Sequence, residues 1–143
     1  MKLNMNLIQQ KAEAFLDAIL ENCNVKYEVD RNSDTGSLTL KTKSIGICGY
    51  DMLLQFMFME DGEVYFFALL DELEVTAENA SLAFEASTTT PICVTIDDYL
   101  TFHLGSYLFD EAHTDSMMQR YMNDMIYLIE EDDSTKALLA RMH

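Results

Sequence analysis

Two apolar runs that meet at an Asp-Gly pair constrain this chain more than any other feature. Met52-Leu53-Leu54-Gln55-Phe56-Met57-Phe58-Met59 and Val64-Tyr65-Phe66-Phe67-Ala68-Leu69-Leu70 flank Glu60-Asp61-Gly62-Glu63. Such a pair between aromatic and aliphatic runs is among the stronger hairpin signals, because glycine supplies the positive φ that tight turns need. Residues 52 to 59 and 63 to 70 are therefore predicted strands. Apart from Gln55 they are apolar on both faces, so alternation does not say which face is the core. Strands of this kind belong in the middle of a sheet, or in a sheet with one face covered by a helix or a second subunit.

The other elements follow from periodicity. Ile8, Ala12, Phe15, Leu16, Ile19 and Leu20 recur at helical spacing, which predicts an amphipathic helix over residues 7 to 22 with Asn22 and Asn24 in its last turn. Val25, Tyr27 and Val29 alternate with Lys26, Glu28 and Asp30 in a strand. After a polar turn, Leu38 and Leu40 alternate with Thr39 and Lys41 in a second strand that can run on through Ile45 and Ile47 to Gly49. Thr76 caps a short helix to about Ser87. Pro91 opens a further hairpin in which Ile92, Val94, Ile96, Leu100, Phe102 and Leu104 face inward, with Thr95, Thr101 and His103 outward and Asp97-Asp98 at the turn. Thr114 is expected to cap a long helix through Glu131, and Ser134 a short tail. With 143 residues and neither repeats nor linkers, the expectation is one domain, residues 1–143: an α+β fold with a twisted antiparallel sheet of hairpins, an N-terminal helix, a short middle helix and a long C-terminal helix.

Charge narrows the partners. Nine basic residues oppose 25 acidic ones, for a formal net charge of −16. Between Lys43 and Arg120 no lysine or arginine occurs, while Glu60, Asp61, Glu63, Asp71, Glu72, Glu74, Glu78 and Glu85 all fall there. Nucleic acids and anionic membranes are bound by cations, so neither is an expected partner. Acidity of this kind serves solubility in most proteins; here it can also steer a basic partner. Without a secretory h-region or a run of about 20 apolar residues, the expected location is the cytoplasm. Three widely spaced cysteines, Cys23, Cys48 and Cys93, fit that compartment.

The order helix, two hairpins, short helix, hairpin, long helix resembles the bacterial sensory-transduction regulators of the YbjN type, which share their fold with type III secretion chaperones. The resemblance is closest over residues 76 to 131: T-A-E-N-A-S-L-A-F-E-A-S, then P-I-C-V-T-I-D-D-Y-L-T-F-H-L, then T-D-S-M-M-Q-R-Y-M-N-D-M-I-Y-L-I. Where the family's short helix often carries asparagines, this chain has Phe84 and Ser87. The resemblance implies a small, acidic, dimeric binding protein with no catalytic residues.

Chemical motifs are sparse. Asp30-Arg31-Asn32-Ser33-Asp34-Thr35-Gly36 imitates the start of a calcium loop, but glycine comes one place late and Lys41 stands where the closing glutamate belongs, so the reading is a polar turn. Cys48 or Cys93 with His103 is the one conceivable nucleophile and base, and a strand cysteine such as Cys93 is more commonly a partly buried hydrophobe. His103 and His113 with Asp110 or Glu111 could share a metal, and Asp97-Asp98 is a nonspecific carboxylate pair. No phosphate loop, dinucleotide fingerprint or serine elbow is present, so no cofactor or metal is expected.

Methionine is more informative. Ten occur, with Met117, Met118, Met122 and Met125 in the last long helix. A helical apolar stripe ordinarily faces the core, yet together with Tyr121, Ile126, Tyr127, Leu128 and Ile129 these residues cover more than one stripe. Methionine adapts to varied apolar partners, which makes such a surface suited to binding. The chain is therefore expected to be a non-catalytic, chaperone-like or regulatory protein-binding module and a homodimer. Its partner segment would be basic and apolar, met by Glu72, Glu74 and Glu78 on one side and by Met118, Met122 and Met125 on the other. The alternatives are a small cytosolic enzyme with an acidic or cysteine site, or an accessory structural subunit. Convergence of Cys93, His103 and a carboxylate in a pocket would favour the enzyme; a wide Met-lined groove would favour binding.

Overall fold

The structure, a computed structural model, describes residues 2–142. Seven strands form one antiparallel sheet: β1 Tyr27–Asn32, β2 Ser37–Thr42, β3 Ile45–Ile47, β4 Tyr50–Met59, β5 Glu63–Glu72, β6 Cys93–Asp97 and β7 Tyr99–Tyr107. Their spatial order is β1-β2-β4-β5-β7-β6, with β3 also paired to β4. Four helices accompany them: α1 Met5–Ile19, α2 Ala77–Ala86, α3 Thr114–Glu131 and α4 Asp133–Leu139. The fold is thus the α+β arrangement of hairpins and helices that the sequence predicts.

Local chemistry accounts for most boundaries. Asn4 accepts a hydrogen bond from the Leu7 N–H at 3.2 Å and so starts α1 two residues before the apolar periodicity begins. Thr76 caps α2 as expected, accepting from the Asn79 N–H at 3.1 Å. The tail helix is capped by Asp132 and not by Ser134: its carboxylate accepts from both the N–H and the hydroxyl of Thr135, at 2.9 and 2.7 Å. Thr114 is not an acceptor cap either; its hydroxyl donates to the Glu111 carbonyl at 2.7 Å, closing a 3₁₀ turn, Glu111–His113, that leads into α3. The second predicted strand is two. Register runs from Lys41 opposite Gln55 to Ile45 opposite Met52, one residue out of step, so a bulge separates β2 from β3. At the bulge the Thr42 hydroxyl accepts from the Leu54 N–H at 2.9 Å.

In the central hairpin the Gly62 N–H donates to the Met59 carbonyl at 3.0 Å and Gly62 takes φ +103°. A Cβ there would lie 2.7 Å from the Leu108 carbonyl oxygen, so both backbone angle and space require glycine. Cys48 and Gly49, at φ +54° and +85°, form the two-residue turn between β3 and β4.

All the large fully buried side chains of the sheet lie on one face. Leu38 and Leu40 of β2, Leu54, Phe56 and Phe58 of β4, Phe66 of β5 and Phe102 of β7 are each 0% exposed. The helices supply the other half of this core through Ile8, Ala12 and Leu16 of α1 and Met118, Met125 and Leu128 of α3. Phe66 sits between Phe56 and Tyr121, with ring centroids 5.2 and 5.4 Å away. Burying an aromatic or aliphatic side chain of this size contributes roughly 1.5–3 kcal/mol, which makes this layer the main source of stability. Tyr121 keeps its hydroxyl satisfied by Ser106, and burial raises its phenol above the ordinary value. No described helix is long and apolar enough to cross a membrane.

Candidate functional site

The residues expected to meet a partner do not come together. Met118, Met122 and Met125 are 0%, 6% and 0% exposed. They repeat every three or four positions together with Tyr121 and Leu128, and that stripe packs onto the sheet, so these three methionines belong to the core and offer no side chain to a partner. The extra width of the apolar pattern has another use: Ile129 is buried too, Met117 and Ile126 are half-buried, and Tyr127 is 50% exposed. Glu72 and Glu74 are exposed at the end of β5, where they line a cleft with Leu73, Val75, Asp98 and Tyr99. Glu78, at the start of α2, accepts a hydrogen bond from Arg141 at 2.7 Å, and that bond holds its carboxyl below the usual range. Its charge is paired within the chain.

What sequence reasoning left open is which face of the central hairpin stays outside. Alternation along β4 and β5 points Leu53, Gln55, Met57, Tyr65, Phe67 and Leu69 away from the helices. All are only partly covered, and Phe67 is 38% exposed. Across β7 the same face continues as Thr101, His103 and Gly105, with Thr101 opposite Leu69 and His103 opposite Phe67. Between Glu63 at one end and Asp51 with Asp71 and Glu72 at the other, the outward positions of β4, β5 and β7 carry no carboxylate, lysine or arginine. Leu53, Gln55, Phe67, Leu69, Thr101 and Lys41 frame a depression of ≈ 250 Å³ in this band. The signal that could have found it was already in the sequence: a hairpin apolar on both faces has one face too many for a single helical layer.

The ends of the band are aromatic and acidic. At the β5 start, Glu63 stands opposite Tyr107, and the hydroxyls of Tyr65 and Tyr107 donate to its two carboxylate oxygens at 3.0 and 3.4 Å. Phe109, 75% exposed, stacks on Tyr107 with centroids 6.2 Å apart. The hydrogen bond to Glu63, followed by its charge, raises the Tyr65 phenol above its ordinary value. At the far end the β5–β7 register slips by one residue between Leu69 and Glu72, which brings Glu72 opposite Tyr99.

Cysteine and histidine positions also differ from expectation. Cys93 is exposed rather than partly buried, because it lies on the outward face of edge strand β6, directly opposite His103. The row runs Cys93, His103, Phe67, Gln55, Lys41, Glu28, so the neighbour of His103 on its other side is a phenyl ring, stacked at 6.1 Å, and not a carboxylate. Among the described residues no group of three or more His, Cys, Asp or Glu side chains is placed to hold a metal. The Asp30–Gly36 segment is the end of β1 and the hairpin turn after it, in which Asn32 accepts from the N–H groups of Asp34 and Thr35.

Compared with protein-family models, curated proteins and solved structures, the chain matches none.

Proposed function

We propose that this chain is a non-catalytic protein-binding module, chaperone-like or regulatory, whose working surface is the outer face of its sheet. The observation that supports the reading is the uncharged apolar band on a chain of net charge −16. A contiguous exposed apolar patch rimmed by polar residues is a mark of an interaction surface or a ligand groove. Homodimerisation would use the same face: two copies laid face to face would bury both bands, but would also bring their acidic ends together. Three exposed thiols suit a reducing cytoplasm.

Light scattering together with partner capture, on the native chain and on Phe67→Asp, tests the proposal. A folded Phe67→Asp protein should lose self-association, captured partners, or both. Equal behaviour of the two proteins, with matching circular dichroism, would remove the outer face from consideration. One observation favours an enzyme, the juxtaposition of Cys93 and His103. Alkylation of Cys93 much faster than of exposed Cys23 would support that reading, since only an activated thiol outpaces a free one.

A further inference from the structure

We infer that the occupant of the outer face is a basic amphipathic α-helix of a partner protein, with its apolar stripe on Phe67 and Leu69 and its cations at the two acidic ends of β5. This rests on the protein-binding reading and specifies the partner's chemistry.

Among the described residues no lysine or arginine forms an ion pair with Glu63, Glu72, Glu74 or Asp98, the carboxylates at the ends of the band. At one end a carboxylate, Glu63, is bracketed by Tyr65 and Tyr107, with Phe109 stacked behind Tyr107. A guanidinium or ammonium placed there gains both the negative charge and the faces of aromatic rings. At the other end Glu72, Glu74 and Asp98 share a cleft with Tyr99 and with Val75, an aliphatic side chain left 62% exposed. No outward position of β4, β5 or β7 offers a lysine or arginine, and Lys41, on β2, is the cation beside the band. A second copy would bring the same acidic ends; complementarity favours a different, basic chain.

Geometry selects a helix. The ten residues of β5 place the two acidic ends about 30 Å apart at roughly 3.3 Å per residue, the length of a helix of about 20 residues. A segment lying on a sheet face receives no main-chain hydrogen bonds from it and has to satisfy its own, which a helix does. Addition of a strand at the sheet edge is hindered. On β6 the Ser87 hydroxyl accepts from the Val94 N–H at 2.8 Å and lies 3.1 Å from the Val94 carbonyl, and edge strand β1 carries Glu28, Asp30 and Arg31.

The test is anisotropy titration with a labelled helical peptide of about 20 residues, bearing leucines at every third or fourth position and arginines in its first and last turns. The controls are a scrambled peptide of the same composition and one with glutamates in place of the arginines. The striped basic peptide should bind about tenfold more tightly than either control and should weaken as salt rises. Phe67→Asp should lower its affinity about tenfold. Tyr107→Ala, at an exposed position less exposed to folding artefacts, should lower it about threefold. Equal binding of the scrambled peptide, or insensitivity to both substitutions, overturns the helix. A native dimer that Phe67→Asp dissociates, with no peptide binding, also overturns it and assigns the face to a second copy, leaving the protein-binding reading intact. If Phe67→Asp changes neither peptide binding nor oligomeric state, both inferences fall.

Discussion

The two faces of β4 and β5 are built from nearly the same residue types and have opposite fates. Phe66 and Phe67 are adjacent; one is 0% exposed between Phe56 and Tyr121, the other 38% exposed beside His103. The helices carry enough apolar surface for one face of the sheet, and they take the face where Phe56, Phe58, Phe66 and Phe102 are aligned. What remains outside is equally hydrophobic in composition, so its exposure is a property of the layer count and not of the local sequence. A surface that costs solubility and contributes little to the monomer's stability is the natural place to look for a binding role.

The comparison breaks most directly at neighbouring positions. Phe66→Ala should cost about 3–5 kcal/mol, seen as a lower urea midpoint, because it opens a cavity under Tyr121. Phe67→Ala, one residue on, should cost less than about 1 kcal/mol in the same measurement. Similar losses at the two positions would mean that the outer face is already covered and the contrast between the faces is false.

Within the helical layer, Asp132→Ala should cost about 1 kcal/mol by removing the α4 cap. Burial by itself would raise the Asp132 carboxyl, but hydrogen bonds from Thr135 and Thr89 and the charge of Lys136 outweigh it and hold the value below the ordinary one. The folded value lies beneath the unfolded one, so the stabilisation is complete above the unfolded value and is lost as pH falls through the folded one. The deficit of Asp132→Ala relative to the native chain should therefore be full at neutral pH and shrink below about pH 4, which urea denaturation at several pH values would follow. A deficit that is constant with pH would mean that the carboxylate form is not what caps α4.

The smallest effects belong to the acidic rim. Reversing Glu72 and Glu74 to lysine should leave the thermal midpoint essentially unchanged, because both are exposed at the end of β5. It should instead slow association with a basic partner and flatten the salt dependence of that rate, measured by stopped-flow. Unchanged kinetics would reduce the acidic stretch to a solubility surface and leave the apolar band alone as the distinguishing feature of the outer face.

Much of the scaffold was legible because its signals are local. Asp61-Gly62 marks its hairpin, Thr76 caps its helix, and inward and outward residues of β6 and β7 alternate as read from Ile92 to Leu104. Where reading failed, the competing partner was distant or of the same chemical type. Ser134 and Asp132 are both good caps, and only the reach of the Asp132 carboxylate to Thr135 separates them. Met118, Met122 and Met125 were expected on a binding surface and lie in the core, because a wide apolar helix looks alike whether it meets a sheet, other helices or another chain. The apolar half of the candidate site was therefore sought on the wrong element, while Glu72 and Glu74 do stand at one end of the band.

Period, turn chemistry and charge, all properties of residues within a few positions of one another, determined the strands, the helices and the acidic character of this chain. The tertiary structure alone decided which face of an evenly apolar hairpin the helices would cover. It also decided that a one-residue slip in β5 would turn Glu72 toward Tyr99, and that Cys93 would come to lie opposite His103. Those outcomes depend on the total apolar area of helices far away in sequence and on register between strands, which short-range pattern does not encode.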